Sequence, residues 1–179
     1  KDGIVASEEN AFEVLLRASS DLMRPSKSSK KLPLNLALVI DRSGSMQGRP
    51  LEEAKKCAAM LVDRMSDVDQ LSVVTYDNSV DVIVPMAKVM NKNLLKNTIN
   101  NIRSGGTTAL YDGWSVGAEQ VAEFADNNNL SRVLLLSDGQ VNSGLTDEVT
   151  ISSHCGTMAE NGVTTSTYGL GSRFNENLM

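Results

Sequence analysis

Residues 34–48 read LNLALVIDRSGSMQG, and this stretch decides how the rest of the chain is read. Leu36, Ala37, Leu38, Val39 and Ile40 form an unbroken apolar run, as in a strand covered on both faces. At its end the sequence turns polar, with Asp41, Ser43 and Ser45 at alternating positions. A loop at the carboxyl end of a strand is where an open α/β sheet places its ligands. One carboxylate with two neutral hydroxyls is an all-oxygen donor set, the kind that hard divalent cations such as Mg²⁺ accept.

Downstream of this stretch, helix and strand patterns alternate. Pro50 opens a helix at a position where its missing N–H costs nothing. Ala54, Cys57, Ala58, Leu61, Val62 and Met65 recur at helical spacing and are expected to form its buried face. Residues 70–75 and 80–84 read as strands joined by the turn Tyr76-Asp77-Asn78-Ser79, an antiparallel hairpin. A short helix is expected over 91–102, a tight loop at 104–108 and a helix over 110–126 with Leu110, Trp114, Ala118, Val121 and Ala125 inward. A buried strand over 132–136 ends in Ser137-Asp138-Gly139, and a helix over 146–161 precedes a last strand at 163–168. Alternating β and α predicts a doubly wound, mostly parallel sheet with one antiparallel edge strand and helices on both faces. Strand 1 and the strand at Arg132 are then neighbours at the topological switch point.

Upstream, residues 1–20 contain EENAFEVLLRAS, where Phe12, Val14 and Leu16 alternate as in a strand. Residues 21–33, DLMRPSKSSKKLP, are polar and basic and read as a linker. The expected division is therefore an N-terminal strand and linker over 1–32, which either belongs with a neighbouring domain or pairs with an edge of the sheet, and one α/β domain over 33–179. Ser28 and Lys31 match an S-x-x-K pattern, but a solvated loop does not activate a nucleophile.

The whole chain has 179 residues, 41% hydrophobic and 22% charged, ordinary for a folded domain. A net charge of −5 argues against nucleic acid, which needs a basic face. The longest apolar runs are far too short to span a membrane, so direct insertion is not expected. The first residue is Lys, which suggests a fragment or processed form, and localisation is not legible. Cys57 and Cys155 are too few for a disulfide framework and are expected to be buried free thiols. His154 is the only histidine, which argues against a Ser-His-Asp triad and against zinc. Gly169-Leu170-Gly171 lacks the third glycine of a dinucleotide fingerprint and reads as a turn.

Three loops should meet at one sheet edge: Asp41, Ser43 and Ser45 from the first, Thr107 and Thr108 from the second, Asp138 from the third. Each has a plain structural alternative. Asp and Ser favour turns and helix caps, Thr107 or Thr108 suits an N-cap, and Asp138-Gly139 is a common turn pair. Convergence of all three argues for a ligand site: hydroxyls and two carboxylates, some acting through water, leave a position open on a six-coordinate cation.

The spelling of these loops adds a family resemblance. DRSGSM after an apolar strand resembles the D-x-S-x-S motif of the von Willebrand factor type A family. GGTTALYDG resembles its threonine loop and LLLSDG its distal aspartate strand. The resemblance runs from about Pro33 to the C-terminus, with the motifs in family order. It implies a metal-ion-dependent adhesion site in which Ser43, Ser45 and a threonine bind Mg²⁺ or Mn²⁺ (Ca²⁺ being the further candidate). Asp41 and Asp138 would hold the water shell, and a partner's Asp or Glu carboxylate would take the open position. The family places the threonine five residues before a helix glycine; Gly113 then selects Thr108 over Thr107. Asp112 is a candidate for a group behind the ligands. The motif spelling is most similar to inter-α-trypsin inhibitor heavy chains and their bacterial relatives, which favours an extracytoplasmic or cell-surface place. A family domain has one more strand and a final helix after Gly171, so the chain reads as truncated there.

The function expected is a non-enzymatic, metal-dependent protein-binding module, with oligomeric state not legible. Two alternatives stay open. One is a subunit docking on an ATPase machine, with no P-loop of its own. The other is a Mg²⁺-dependent phosphohydrolase of the haloacid-dehalogenase type, whose nucleophile loop needs a second aspartate where this chain has Ser43.

Overall fold

A computed structural model describes residues 32–126, 128–140 and 143–170. Of the strand and linker expected over 1–32, residues 1–31 lie outside the described residues, as does the stretch after Leu170 on which the expected truncation falls. Strands β1 (Leu34–Asp41), β2 (Gln70–Tyr76), β3 (Val80–Lys88), β4 (Leu130–Ser137) and β5 (Val163–Gly169) form one sheet in the order β3-β2-β1-β4-β5. Only β2–β3 is antiparallel; β1 pairs in parallel with both β2 and β4. Four helices, α1 (Arg49–Arg64), α2 (Lys92–Asn100), α3 (Leu110–Ala122) and α4 (Glu148–Glu160), complete the described part. The doubly wound architecture with an antiparallel edge is as the sequence pattern requires.

Side-chain alternation along β1 divides the core into two layers. Leu36, Leu38 and Ile40 face α1 and α2, meeting Leu51, Ala54, Ala58, Val62 and Ile99. Ala37 and Val39 face the opposite layer, with Leu110, Trp114, Ala118 and Val121 of α3. Burial on both faces leaves all of β1 beyond Leu34 inaccessible to water, which explains its unbroken apolar run. The face under α3 is unusually close to its helix. A methyl group added at Gly117 would lie 2.4 Å from Cγ2 of Val39, and one at Gly113 2.4 Å from the ring of Tyr76. Glycine at both points lets α3 settle onto the strands that carry the loops.

Several boundaries and assignments differ from the sequence reading. β3 runs on to Lys88 through Pro85; the proline is tolerated because β3 is an edge strand. α3 stops at Ala122, and Ala125 packs on the core from the turn beyond it. Cys57 is exposed and Cys155 only partly covered, so the expected pair of buried thiols is corrected. The buried stripe of α1 is Leu51, Ala54, Lys55, Ala58 and Val62, and Cys57 lies on its flank. Leu61 is only partly buried, while Lys55 is covered and reaches Glu52 at 2.9 Å.

Asp69 ties the opposite end of the sheet together. Its buried carboxylate accepts from the N–H of Leu34 at 2.9 Å, the N–H of Ser66 at 2.7 Å and the Ser66 hydroxyl at 2.8 Å. This holds the first residue of β1 in register beside the entry to β2.

Candidate metal centre

The first loop is fixed at both ends. Asp41 closes β1, and Met46, wholly buried, anchors the single 3-10 turn Gly44–Met46 in the core before α1 begins. Between these anchors the loop must expose polar groups at the sheet's carboxyl edge. The second loop lies directly on it: the N–H of Gly44 donates to the carbonyl of Gly106 at 3.0 Å, and the N–H of Gly105 to that of Arg42 at 2.8 Å. The third loop leaves β4, the direct neighbour of β1. The β1–β4 switch point therefore gathers the loops that the sequence singled out.

Asp41 is fully buried. One of its oxygens accepts from the N–H of Ser43 at 2.8 Å, and the other from the hydroxyls of Ser137 at 2.7 Å and Tyr76 at 3.3 Å. Ser137 in turn accepts from the N–H of Gly139 at 2.9 Å. Burial raises the pKa of Asp41; the hydrogen bonds from Ser137 and Ser43 oppose that rise, and the nearby Asp138 charge adds to it. Tyr76 is pushed well above its ordinary range, first by burial and then by the Asp41 charge, so its hydroxyl stays protonated and donates. Among the described residues no Lys, Arg or His forms an ion pair with Asp41 or Asp138. The two neighbouring carboxylates therefore have no side-chain cation among the described residues to balance them.

Two hydroxyls complete the loop. Ser43 is buried and Ser45 exposed, and their Oγ atoms lie 3.1 Å apart. Adjacent oxygens on an octahedral cation with bonds of about 2.1 Å lie about 3.0 Å apart, so this spacing suits a shared Mg²⁺. Thr108 is buried and Thr107 exposed, a difference of side that the paired threonines alone did not reveal. Asp138 is buried, and its carboxylate accepts from the N–H of Gln140 at 3.1 Å. Asp112 is exposed and faces the third loop: a methyl added at Gly144 would lie 3.4 Å from its Oδ2. Among the described residues no three His, Cys, Asp or Glu side chains gather as a cage. The donor set available here is thus hydroxyls first, with two carboxylates behind, which fits a hard, partly hydrated cation.

The single-sequence reading missed Tyr76 and Ser137. Ser137 stands beside Asp138 in LLLSDG, and its even spacing from Leu135 along β4 was a usable signal. Tyr76 is brought to Asp41 by the register of β2 on β1, where the two residues pair directly. His154 is exposed and its Nδ1 hydrogen-bonds the Tyr111 hydroxyl at 2.8 Å.

Comparison with known proteins follows the same lines. The family model of the von Willebrand factor type A domain matches residues 35–179. The uncharacterized protein sll0103 of Synechocystis is 33% identical over 84% of this chain, and the uncharacterized protein YfbK of Escherichia coli 30% identical over 89%. The chain spans 35% and 28% of the lengths of those two relatives. Inter-alpha-trypsin inhibitor heavy chain H4 of Bos taurus is 25% identical over 69% of the chain, which spans 14% of it. Among solved structures, a von Willebrand factor type A protein from Catenulispora acidiphila superposes with a TM-score of 0.69 at 20% identity, covering 82% of this chain and 35% of that one. Proximal thread matrix protein 1 of the mussel byssus, solved with a zinc-occupied MIDAS motif (a metal-ion-dependent adhesion site), gives 0.68 at 22% identity, covering 82% and 41%. The solved structures share the α/β fold described above. The chain belongs to the von Willebrand factor type A family.

Proposed function

We propose that this domain binds a divalent cation, Mg²⁺ or Mn²⁺, at the carboxyl edge of β1 and β4, and through it an acidic residue of a protein partner. Ser43, Ser45 and Thr108 would hold the cation directly, and Asp41 and Asp138 through water. The observation that carries this reading is the hydroxyl pair of Ser43 and Ser45, 3.1 Å apart, in front of a buried Asp41 that pairs with no side-chain cation among the described residues. A cation held mainly by neutral oxygens keeps its electrophilic character, so it attracts an incoming anionic oxygen. That is the chemistry the cation supplies. The protein's part is to fix the donors, keep Asp41 dry and leave the front of the first loop open, where Ser45 is exposed.

Among the described residues the arrangement favours binding over covalent chemistry. The position two residues after Asp41 is Ser43, whose backbone and hydroxyl are both committed to the loop, and no second carboxylate stands there as acid or base. A binding role beyond the cytoplasm is supported by the inter-alpha-trypsin inhibitor relatives. Among the described residues no helix is long and apolar enough to cross a membrane.

The test is calorimetric titration of Mg²⁺ and Mn²⁺ into metal-stripped protein beside its Asp41→Ala variant. One-to-one binding lost in the variant supports the proposal. Equal binding by both proteins, or none by the wild type at millimolar metal, overturns it.

A further inference from the structure

Arg42 occupies the variable position between Asp41 and Ser43, where its backbone is part of the metal loop. Its side chain turns away from Asp41, toward the hairpin between β2 and β3. Nη2 donates to Asp81 at 2.6 Å, to the Ser79 hydroxyl at 3.2 Å and to Asp77 Oδ1 at 3.4 Å, and Nε makes a charge contact with Asp77 Oδ2 at 3.1 Å. Asp77 is itself held: its side chain accepts from the N–H and hydroxyl of Ser79, and its N–H donates to the Ser79 carbonyl. The Arg42 pair helps hold its carboxylate below the ordinary range despite partial burial.

The hairpin also grips the second metal loop. The carbonyl of Asp77 accepts from the N–H of Ala109, the residue after Thr108, at 2.9 Å. Gly106, with φ of +72°, rests so closely on the hairpin that an added methyl would lie 2.2 Å from Asn78 Oδ1 and 3.0 Å from Asp77 Cβ. The loop bearing Ser43 and Ser45 and the loop bearing Thr108 are thus both fastened to Asp77, one through the Arg42 side chain and the other through the backbone. The N–H of Arg42 also donates to the carbonyl of Tyr76, one residue earlier, at 2.9 Å.

We infer that Arg42 and Asp77 form a clamp that positions the hydroxyl donors for the cation, so that metal affinity depends on a pair that does not touch the metal. The inference rests on the proposed metal site and names a control on it. It makes Arg42 and Asp77 positioning residues, and it predicts a sign that simple electrostatics reverses. Arg42 is a positive charge beside a cation site. If charge alone mattered, removing it and leaving Asp77 unpaired would tighten Mg²⁺ binding. If the clamp matters, removing it lets the two loops drift apart and weakens binding. Supporting residues of this kind are worth about 10–100-fold in metal affinity.

The experiment is Mg²⁺ and Mn²⁺ titration of the wild type, Arg42→Ala, Arg42→Lys and Asp77→Asn. Amide hydrogen exchange of the metal-free proteins at Gly44, Gly105 and Ala109 accompanies it. The clamp predicts about tenfold or greater weakening for Arg42→Ala. Arg42→Lys, which keeps the charge but loses the forked geometry, should recover only part of that loss. Faster exchange is expected at Gly44, Gly105 and Ala109, while amides of β1 remain protected. Unchanged or tighter binding by Arg42→Ala overturns the clamp while leaving the metal site standing. Weakening that Arg42→Lys fully restores, with unchanged exchange, also overturns the clamp, because the forked geometry is then not needed and the loops have not loosened. Absence of binding by the wild type overturns the metal site, and the clamp with it.

Discussion

Replacing Gly113 with alanine adds one methyl group at the tightest contact between α3 and the sheet. That methyl would sit 2.4 Å from Cδ1, 2.5 Å from Cγ and 2.9 Å from Cβ of Tyr76. Carbon atoms settle at about 3.5–4.0 Å, so the helix and ring must separate by roughly 1 Å. The ring has nowhere to go, because Tyr76 is fully buried and its hydroxyl is held at Asp41. Overpacking of this kind costs about 1–3 kcal/mol, and the better helix propensity of alanine returns about 1 kcal/mol. With a buried aromatic on one side and backbone on the other, the upper part of the range applies, for a net loss of about 2 kcal/mol. Urea denaturation of the metal-free protein measures it, and the melting temperature should fall by roughly 4–8 °C. Gly156→Ala is the internal control: that glycine lies within α4 with open space around its Cβ position, so alanine should stabilise by about 0.5–1 kcal/mol. Because α3 begins two residues after Thr108, Gly113→Ala should also weaken Mg²⁺ binding. A Gly113→Ala protein as stable as the wild type would refute the close-approach reasoning.

The pH dependence of metal affinity follows from Asp41. Its folded pKa lies above the ordinary 3.8, so protons compete with the cation as pH falls toward that raised value, and Mg²⁺ affinity should rise with pH through it and then level off. In the metal-free protein the sign is opposite for stability: the Asp41 contribution is lost as pH rises from the unfolded to the folded pKa, so Asp41→Asn should be relatively more stable than wild type at neutral pH than at pH 3, by chemical denaturation. Asp69→Ala leaves the Leu34 and Ser66 donors without a buried partner and should cost about 3 kcal/mol in the same assay, with little change in metal affinity because it lies at the other end of the sheet. Cys57 is exposed, while the Cys155 thiol is partly covered and raised above its ordinary 9.0 by burial, so a disulfide reagent should modify Cys57 first in the native protein. Equal rates would contradict that ordering.

Legibility differed between the fold and the site for a physical reason. β1 announces itself because a strand buried on both faces favours apolar residues along its middle, and the parallel order follows from alternating β and α patterns. The meeting of the three loops follows from the switch point and was readable from chain order, whereas the choice of Thr108 over Thr107 rested on the family resemblance alone. What sits behind them was not. Tyr76 reaches Asp41 through strand register, and Arg42 reaches Asp77 and Asp81 across 35 and 39 positions of sequence. Such pairings leave no mark on a single local stretch. Cys57 was misplaced because small residues fill α1 on more than one side, and periodicity gives no sharp stripe there. Lys55 was missed for the related reason that a long aliphatic stem can lie buried while its amine finds a carboxylate.

The most direct test of the account is anomalous scattering from a crystal of the domain grown with Mn²⁺. The account predicts one strong manganese peak, roughly 2.1 Å from the Oγ atoms of Ser43 and Ser45 and close to the Thr108 hydroxyl, with Asp41 behind it. A peak elsewhere, or none at that loop with both serines ordered, would contradict it.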